Sequence, residues 1–495
     1  MKVLLSTPPG KTSELWPPLG LLYLASSVRE KRSDAVQVID AFCENLSTEQ
    51  LVSRVVAEQP DVFGMNCSTH TFLDTVDTLA KVRRALPETK LVMGGIHATL
   101  AAERILEAYP IVDFLVKGEG EASFPKLLDC IERGELPSRI EGVSCRQGGR
   151  IVSNEPVLIE DLDSLSFPDR SLVDKVEYGY YHKNIKLTFG KFTTISSSRG
   201  CPFHCSYCSC AAFSQRKWRP RSPENVVSEL EQLQSDGYES AVFVDDNLTH
   251  STKRMQRMCD LIRQKKLDLK FYCEGRVNNA SYELMSTMKE AGFDVIYFGV
   301  ESPSKHVLDY YNKTIDPNQA VRAVENARKA GMIVVTSFIV GAPVESVEDM
   351  EKTIEFIKRL RPHAVQINIL DCLIGTEIWD SLEKEGIPRP GDWKTNHRIY
   401  EYFGDRISRD ELEDVVNRGY AAHLETWKSV KGLLSFGKTL LYNKTARKIV
   451  RGNLFSADAR KRLMDGTRYE RRKDAEISQS TAFQTPPSGS SGPHR

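Results

Sequence analysis

Short apolar runs alternate with amphipathic, helix-length segments along two separate stretches of this chain. That alternation restricts the fold to parallel sheets flanked by helices. The first stretch has strand-like runs at 2–5, 36–39, 62–65, 90–93 and 112–116, with helix-like segments at 19–29, 48–57, 72–84, 100–108 and 123–132 between and after them. Five such units predict a doubly wound, Rossmann-like parallel sheet. The second stretch has runs at 192–197, 240–244, 270–273, 294–300, 333–340 and 364–369. Its helices carry start signals at Ser222-Pro223, Asp316-Pro317 and Ser346, and stop signals at Gly237 and Gly331. Six units of this length predict a partial (β/α)6 barrel, whose chemistry belongs at the carboxyl ends of the strands. A hairpin turning at Gly148-Gly149 and a linker around 161–170 separate the two.

These signals divide the chain into a Rossmann-like domain (1–150), a linker (151–190), a TIM-like barrel (191–390), a small helical C-terminal domain (391–475) and a disordered tail (476–495). At 495 residues there is material for two or three real cores. Basic and acidic residues balance at 67 each, so bulk charge gives no reason to expect nucleic acid or membrane as a partner. No apolar stretch approaches the roughly 18 residues of a spanning helix, and Met1-Lys2 leads directly into a β-like run rather than a signal peptide. Most of the 11 cysteines are scattered, which argues against a disulfide framework and for a cytoplasmic protein.

The exception to the scatter follows the first barrel run. Cys201, Cys205 and Cys208 stand at C-x3-C-x2-C spacing in Arg199-Gly200-Cys201-Pro202-Phe203-His204-Cys205-Ser206-Tyr207-Cys208. Three thiolates so spaced can hold one face of an iron–sulfur cluster and leave one iron open to a ligand. A zinc knuckle completed by His204 or Cys210, and a disulfide loop, are the alternatives.

The spacing, with an aromatic just before the third cysteine, resembles the signature of the radical S-adenosylmethionine (SAM) enzymes. The resemblance implies that Cys201, Cys205 and Cys208 bind a [4Fe–4S] cluster, that the fourth iron chelates SAM, and that one electron releases a 5′-deoxyadenosyl radical. It implies a SAM site at the strand ends. By that resemblance Tyr207 would lie near adenine, Asp245 or Asp246 would accept from the SAM ammonium, and Arg276 would pair with its carboxylate. Glu301 would bind the ribose hydroxyls, and Ile339 and Gly341 would flank adenine. A metal site or a solvated turn is the alternative for the paired acids. Cys372, after the sixth run, is a candidate hydrogen donor or substrate contact, although buried cysteine is more often a small hydrophobe. The basic run 216–221 either touches an anion or flanks a helix.

In the first domain the strand ends carry Pro9, Ser68-Thr69-His70, Gly94-Gly95-Ile96-His97 and Gly118-Glu119-Gly120-Glu121. Glycines there admit a large ligand to the backbone, and hydroxyls can hold amides or phosphate. Ordinary βα turns have the same composition. This half resembles the cobalamin-binding domain fused ahead of many radical SAM enzymes, which implies cobalamin contacts at Pro9, Ser68, Thr69, Gly94, Gly95, His97, Gly118, Glu119 and Gly120. The Asp-x-His-x-x-Gly motif of the better-known cobalamin fold is absent, as it often is in the fused class. His97 and His70 are the candidates for a lower cobalt ligand. A rival arrangement, the methylthiotransferase, would use Cys43, Cys67 and Cys130 for a second cluster.

Helical spacing recurs at 411–424, 420–433 and 447–464. Between Lys444 and Lys473 there are 11 Lys/Arg against 3 Asp/Glu, a charged face for an acidic partner or for solvent. The combined resemblance implies a cobalamin-dependent radical SAM methyltransferase. It would move a methyl group from methylcobalamin to an unactivated carbon (or phosphorus) of a small molecule or peptide, with electrons from a flavodoxin or ferredoxin. A cyclase or other non-methylating enzyme, and a cobalamin sensor, are the alternatives.

Overall fold

The computed structural model describes residues 1–428 except 11–14, 180, 183–184, 187 and 189. The expected helix at 447–464, the stretch running to 433 and the tail from 476 lie outside the described residues.

Two sheets organise the molecule. The first contains β1 (Lys2–Ser6), β2 (Ala35–Ile39), β3 (Val62–Asn66), β4 (Lys90–Gly94), β5 (Phe114–Val116), β6 (Val143–Gln147) and β7 (Arg150–Ser153) in the order β2-β1-β3-β4-β5-β6-β7. The first five strands are parallel. β6 and β7 form the hairpin and add to β5 antiparallel, which closes one edge. Helices cover both faces, so the central strands are apolar on both sides: Val3, Leu4 and Leu5 are all buried.

The second sheet contains β8 (Lys191–Ile195), β9 (Tyr238–Phe243), β10 (Lys270–Gly275), β11 (Phe293–Glu301), β12 (Ile333–Val340) and β13 (Ala364–Ile369) in sequential order, all parallel. Its two end strands do not pair with each other, so it is an open half-barrel. The outer face, including Phe243, Phe271, Phe293 and Phe298, packs under the helices.

The capping signals act where the sequence places them. Ser222 Oγ accepts from Asn225 N–H, with Pro223 in the first turn. Asp316 and Ser346 each close a capping box. Such a cap stabilises a helix by about 1 kcal/mol.

Three segments differ from expectation. The helix expected at 100–108 is two, Ile96–Leu100 and Ala102–Ala108, because Ala101 leaves helical geometry. The helix expected to start at 123 begins at Gly120 and contains Pro125, whose missing N–H frees the Glu121 carbonyl to accept from Ser27 Oγ (2.6 Å) and Lys31 Nζ (3.0 Å). The two overlapping C-terminal patterns are one helix, Arg409–Lys428.

Candidate active site between the two sheets

A cavity of about 570 Å³ opens between the carboxyl ends of the two sheets. Gly94, Gly95, Gly118 and Gly120 line it from the first domain, and Ser196, Cys208, Val244 and Asp246 from the second.

The glycines have two separate reasons to be there. A Cβ on Gly95 (φ +93°) would lie 2.7 Å from the Cys67 carbonyl oxygen, and one on Gly118 (φ +71°) 2.3 Å from that of Val157. Chain crossing alone therefore requires glycine at both. Gly94 has only ordinary clearance, 3.5 Å to Val116 O, so it also leaves room on the cavity side. Glu119 also lines the cavity, and its carboxylate is already engaged. Its carboxylate takes two bonds from Arg219 (2.6 and 2.7 Å) and one from Ile159 N–H (2.6 Å). Glu121 takes Arg199 at 2.7 Å, and the Arg199 guanidinium lies over the Tyr23 ring. These pairs join the turn after β5 to the strand entering the cysteine loop.

Four expected cobalamin contacts, Pro9, Ser68, Thr69 and His97, lie in other settings. Pro9 is buried. Ser68 closes a local capping box with Thr71. Thr69 Oγ1 lies 3.1 Å from His97 Nδ1. His97 is fully buried between Phe72 (centroids 4.3 Å) and Trp393 (6.0 Å, nearly parallel), with Nε2 unpartnered. Burial pulls its pKa down to about 4, so the ring is neutral. His70 is exposed, and its charge bears on Asp371.

The cysteine loop is set by geometry around Gly200. This residue has φ +81°, and any Cβ would lie 2.1 Å from Lys217 O. Cys201, Cys205 and Cys208 are half-buried on one loop. The Cys210 thiol bonds to Cys208 and, with the N–H groups of Cys210 and Ala211 at the start of the helix Ser209–Phe213, holds the Cys208 thiol below its usual range. Arg276 stacks on Phe203 (3.6 Å) and reaches Cys205 Sγ (3.8 Å). A cluster carrying negative charge fits beside that guanidinium. Among the described residues no three Cys, His, Asp or Glu side chains, those of the cysteine loop included, are drawn together around one metal position. Cys43, Cys67 and Cys130 are not brought together as a metal-binding group either. Burial pushes the Cys67 thiol up to about 12.

The two candidate acids separate. Asp245 is fully engaged by Ser197 N–H (3.0 Å), Ser197 Oγ (2.7 Å) and Ser198 Oγ (2.5 Å), and it anchors the chain that leads into the loop. Asp246 lines the cavity and accepts from the Cys210 thiol. Burial raises the pKa of both.

At the end of β11, Glu301 has φ +65°, a costly conformation for a residue with a Cβ. It accepts from Tyr207 Oη (3.0 Å), Lys313 Nζ (2.8 Å) and Ser337 Oγ (3.2 Å). Tyr207 and Glu301, both expected SAM contacts, are thus directly bonded. Ile339 is buried. Gly341 (φ +95°) and Ala342 donate their N–H groups to Glu345 Oε2 at 2.6 and 3.2 Å.

Sequence reasoning missed Lys313 and Glu345. The signal for Glu345 was an acid four residues past the glycine that ends β12. Lys313 had none, since its partner is 12 residues back across an intervening helix. Cys372 is fully buried and pairs with His397 in a two-residue ladder. Burial pushes its thiol up to about 12, the behaviour of a packed, inert cysteine.

The cavity walls test whether a corrin fits: Gly94, Gly95, Gly118 and Gly120 bring side-chain-free backbone to its edge, and Asn66, Ser196 and Ser214 line it together with apolar Leu5, Val92 and Phe124. Bare backbone turns with a mixed polar and apolar lining fit cobalamin as the cysteine loop fits a cluster.

The second sheet matches the Radical SAM superfamily at residues 195–357, and the first matches the B12 binding domain at 10–128. An "Uncharacterized methyltransferase PH0819" of Pyrococcus horikoshii is 35% identical over 390 residues, covering 77% of this chain and 83% of that protein. The "Anaerobic magnesium-protoporphyrin IX monomethyl ester cyclase" of Rubrivivax gelatinosus is 28% identical over 357 residues, 70% of this chain and 63% of that one. In fold, the structure superposes on the radical SAM methyltransferase TsrM of Kitasatospora setae with cobalamin and [4Fe–4S] cluster bound, with TM-score 0.65, 18% identity and coverage of 78% and 75%. The cofactors of this protein are a [4Fe–4S] cluster, SAM and cobalamin. With two family models in tandem and a relative this close over most of both lengths, the chain belongs to the cobalamin-dependent radical SAM enzymes.

Proposed function

We propose that this enzyme is a methyltransferase acting on an unactivated carbon (or phosphorus) of a small-molecule or peptide intermediate. The observation that carries the reading is the single cavity shared by the glycine turns of the first domain and by Cys208 and Asp246 of the second. A methyl carrier and a radical source are useful together only when both face one substrate. The name of the 35% identical relative supports methylation over other outcomes.

When bound, the cofactors supply a 5′-deoxyadenosyl radical and a transferable methyl group. The chain's own residues would do the rest. Cys201, Cys205 and Cys208 would hold the cluster beside Arg276. Tyr207, Glu301 and Asp246 would orient SAM, with Ile339 and Gly341 against its adenine. Gly94, Gly95, Gly118 and Gly120 would let the corrin approach the backbone. Leu5, Leu24, Val92, Phe124 and Val244 give the cavity apolar walls that keep water from a radical. Among the described residues no helix is long and apolar enough to cross a membrane. We place the protein in the cytoplasm, with a flavodoxin or ferredoxin as electron donor and no nucleic acid as partner.

The cyclase relative favours a second reading, in which the same cofactors drive ring formation without methylation. Methyl-labelled SAM separates the two. The anaerobically reconstituted enzyme, given hydroxocobalamin and a reductant with a candidate substrate, should place label in the product. Product and 5′-deoxyadenosine without label in the product would sink the methyltransferase reading and support the cyclase.

A further inference from the structure

The end of β11 is held in a conformation its residues do not prefer. Its register against β12 slips between Gly299 and Glu301, where Val300 is the extra residue of a β-bulge. Ser302 N–H then bonds to Val300 O at 2.9 Å and closes a γ-turn centred on Glu301, whose φ of +65° suits glycine. Strain of this kind costs about 1–3 kcal/mol and persists only where the surroundings fix it. A buried cation supplies that fixing. Lys313, 7% exposed, donates to Glu301 Oε1 at 2.8 Å and to Tyr207 Oη at 3.3 Å. A Cβ at 299 would lie 2.4 Å from Glu301 Oε1 and 2.9 Å from Lys313 Nζ, so Gly299 clears the space in which the pair meets.

Lys313 belongs to a strip that also seats the cluster loop. Ser206 bonds to the Tyr310 carbonyl through Oγ (2.8 Å) and to the Tyr311 carbonyl through its N–H (2.9 Å), and Arg276 Nη2 reaches Thr314 Oγ1 (3.4 Å). A carboxylate oxygen can accept two bonds. Glu301 Oε1 is filled by Tyr207 and Lys313, whereas Oε2 takes one bond, from Ser337 at 3.2 Å. Oε2 is therefore the oxygen with room for a ligand hydroxyl, and the two donors on Oε1 set its direction.

We propose that Lys313 is a positioning residue for SAM. Acting through Glu301, it aims Oε2 at a ribose hydroxyl, from the same strip that seats the cluster loop. This rests on the reading of Glu301 as the ribose contact, and it holds for a methyltransferase and a cyclase alike.

The test uses the anaerobically reconstituted full-length protein with labelled SAM bound. 5′-Deoxyadenosine and 2′,5′-dideoxyadenosine, which differ by one ribose hydroxyl, compete for the site. The wild type should prefer the hydroxyl-bearing nucleoside by about tenfold. Lys313→Gln keeps a donor without the charge. It should shrink that preference to about twofold and weaken SAM by about tenfold, at wild-type iron content. In the Glu301→Gln background, Lys313→Gln should add nothing further, because its effect passes through that carboxylate. The double variant carries no unpaired charge of the pair, so it tests the proposal even where Lys313→Gln folds poorly. An unchanged preference in Lys313→Gln, with both nucleosides weakened alike, would overturn the proposal and make the ion pair structural only. Additive losses in the double variant would overturn it as well. A wild type without any preference would remove Glu301 from the ribose, and this proposal with it, whatever the variants do.

Discussion

Glu119 and Arg219 grip each other across the seam between the two sheets through a pair of N–H···O bonds of 2.6 and 2.7 Å. Both side chains are 5% exposed, so neither charge is shared with water. Removing one partner leaves the other buried and uncompensated, a loss of about 3–5 kcal/mol. Glu119→Ala should therefore lower the unfolding midpoint sharply. An apolar replacement of both residues, Glu119→Leu with Arg219→Met, should recover much of the loss. Thermal unfolding of the single and double variants measures this, and a double variant no better than the sum of the singles would refute the buried clamp.

The cluster assignment makes a sharper demand on four cysteines. Cys201→Ala, Cys205→Ala and Cys208→Ala should each lose most of the bound iron and the visible charge-transfer absorption. Cys210→Ala should keep both, since that thiol bonds to Cys208 and Asp246 without being one of the three ligands. Iron and sulfide analysis of the four variants after identical anaerobic reconstitution decides it. Iron loss in Cys210→Ala equal to the others would make Cys210 a fourth ligand and return the loop to the knuckle reading.

What the sequence made legible was local. Strands and caps follow from periodicity and from single residues such as Ser222, Asp316 and Ser346, whose partners lie within one turn. The cysteines are legible because one loop carries all three. Glu119 was legible as part of a glycine-rich turn, but its pairing with Arg219, 100 residues onward, was not, because no periodicity reports so distant a partner. Asp245 and Asp246 could not be told apart because adjacent residues on a strand end face opposite ways. Only the three bonds from Ser197 and Ser198 to Asp245 leave Asp246 for the cavity.

Glu301 concentrates three bonds and a strained backbone, so its replacement should act on SAM rather than on the cluster. Glu301→Gln keeps the shape but leaves the buried Lys313 ammonium without its countercharge. SAM affinity should fall by roughly tenfold or more, the scale of a charged hydrogen bond, while iron content holds. Equilibrium binding of SAM to the reconstituted variant is the measurement. Wild-type affinity would remove Glu301 from the SAM site. Ser337→Ala, which removes only a 3.2 Å bond to the other oxygen, should lose far less.

The loop after β12 carries a pH dependence of its own. Glu345 Oε2 accepts from Gly341 and Ala342, while Oε1 is buried without a partner. Burial outweighs those two bonds and pushes the carboxyl from 4.5 up to about 7. The folded state therefore binds this proton more tightly than the unfolded state. The stability contributed by the protonated carboxyl is fully present below about pH 4.5 and is lost as pH rises through about 7. The lost contribution is on the order of 3 kcal/mol, at about 1.4 kcal/mol per pH unit. Glu345→Gln keeps an acceptor for the two N–H groups and has no proton to lose. Urea midpoints of the wild type should fall relative to those of Glu345→Gln between about pH 5 and 7, then run parallel above that window. The loop also touches the C-terminal segment, since a Cβ on Gly341 would lie 3.1 Å from both Ile399 and Leu412. Loosening at high pH should therefore extend to Arg409–Lys428 and appear there as faster amide exchange in the wild type than in Glu345→Gln. Midpoint curves that stay parallel through the whole range would mean that Glu345 is ionised in the folded protein at every pH tested, and that the unpaired Oε1 is met by water.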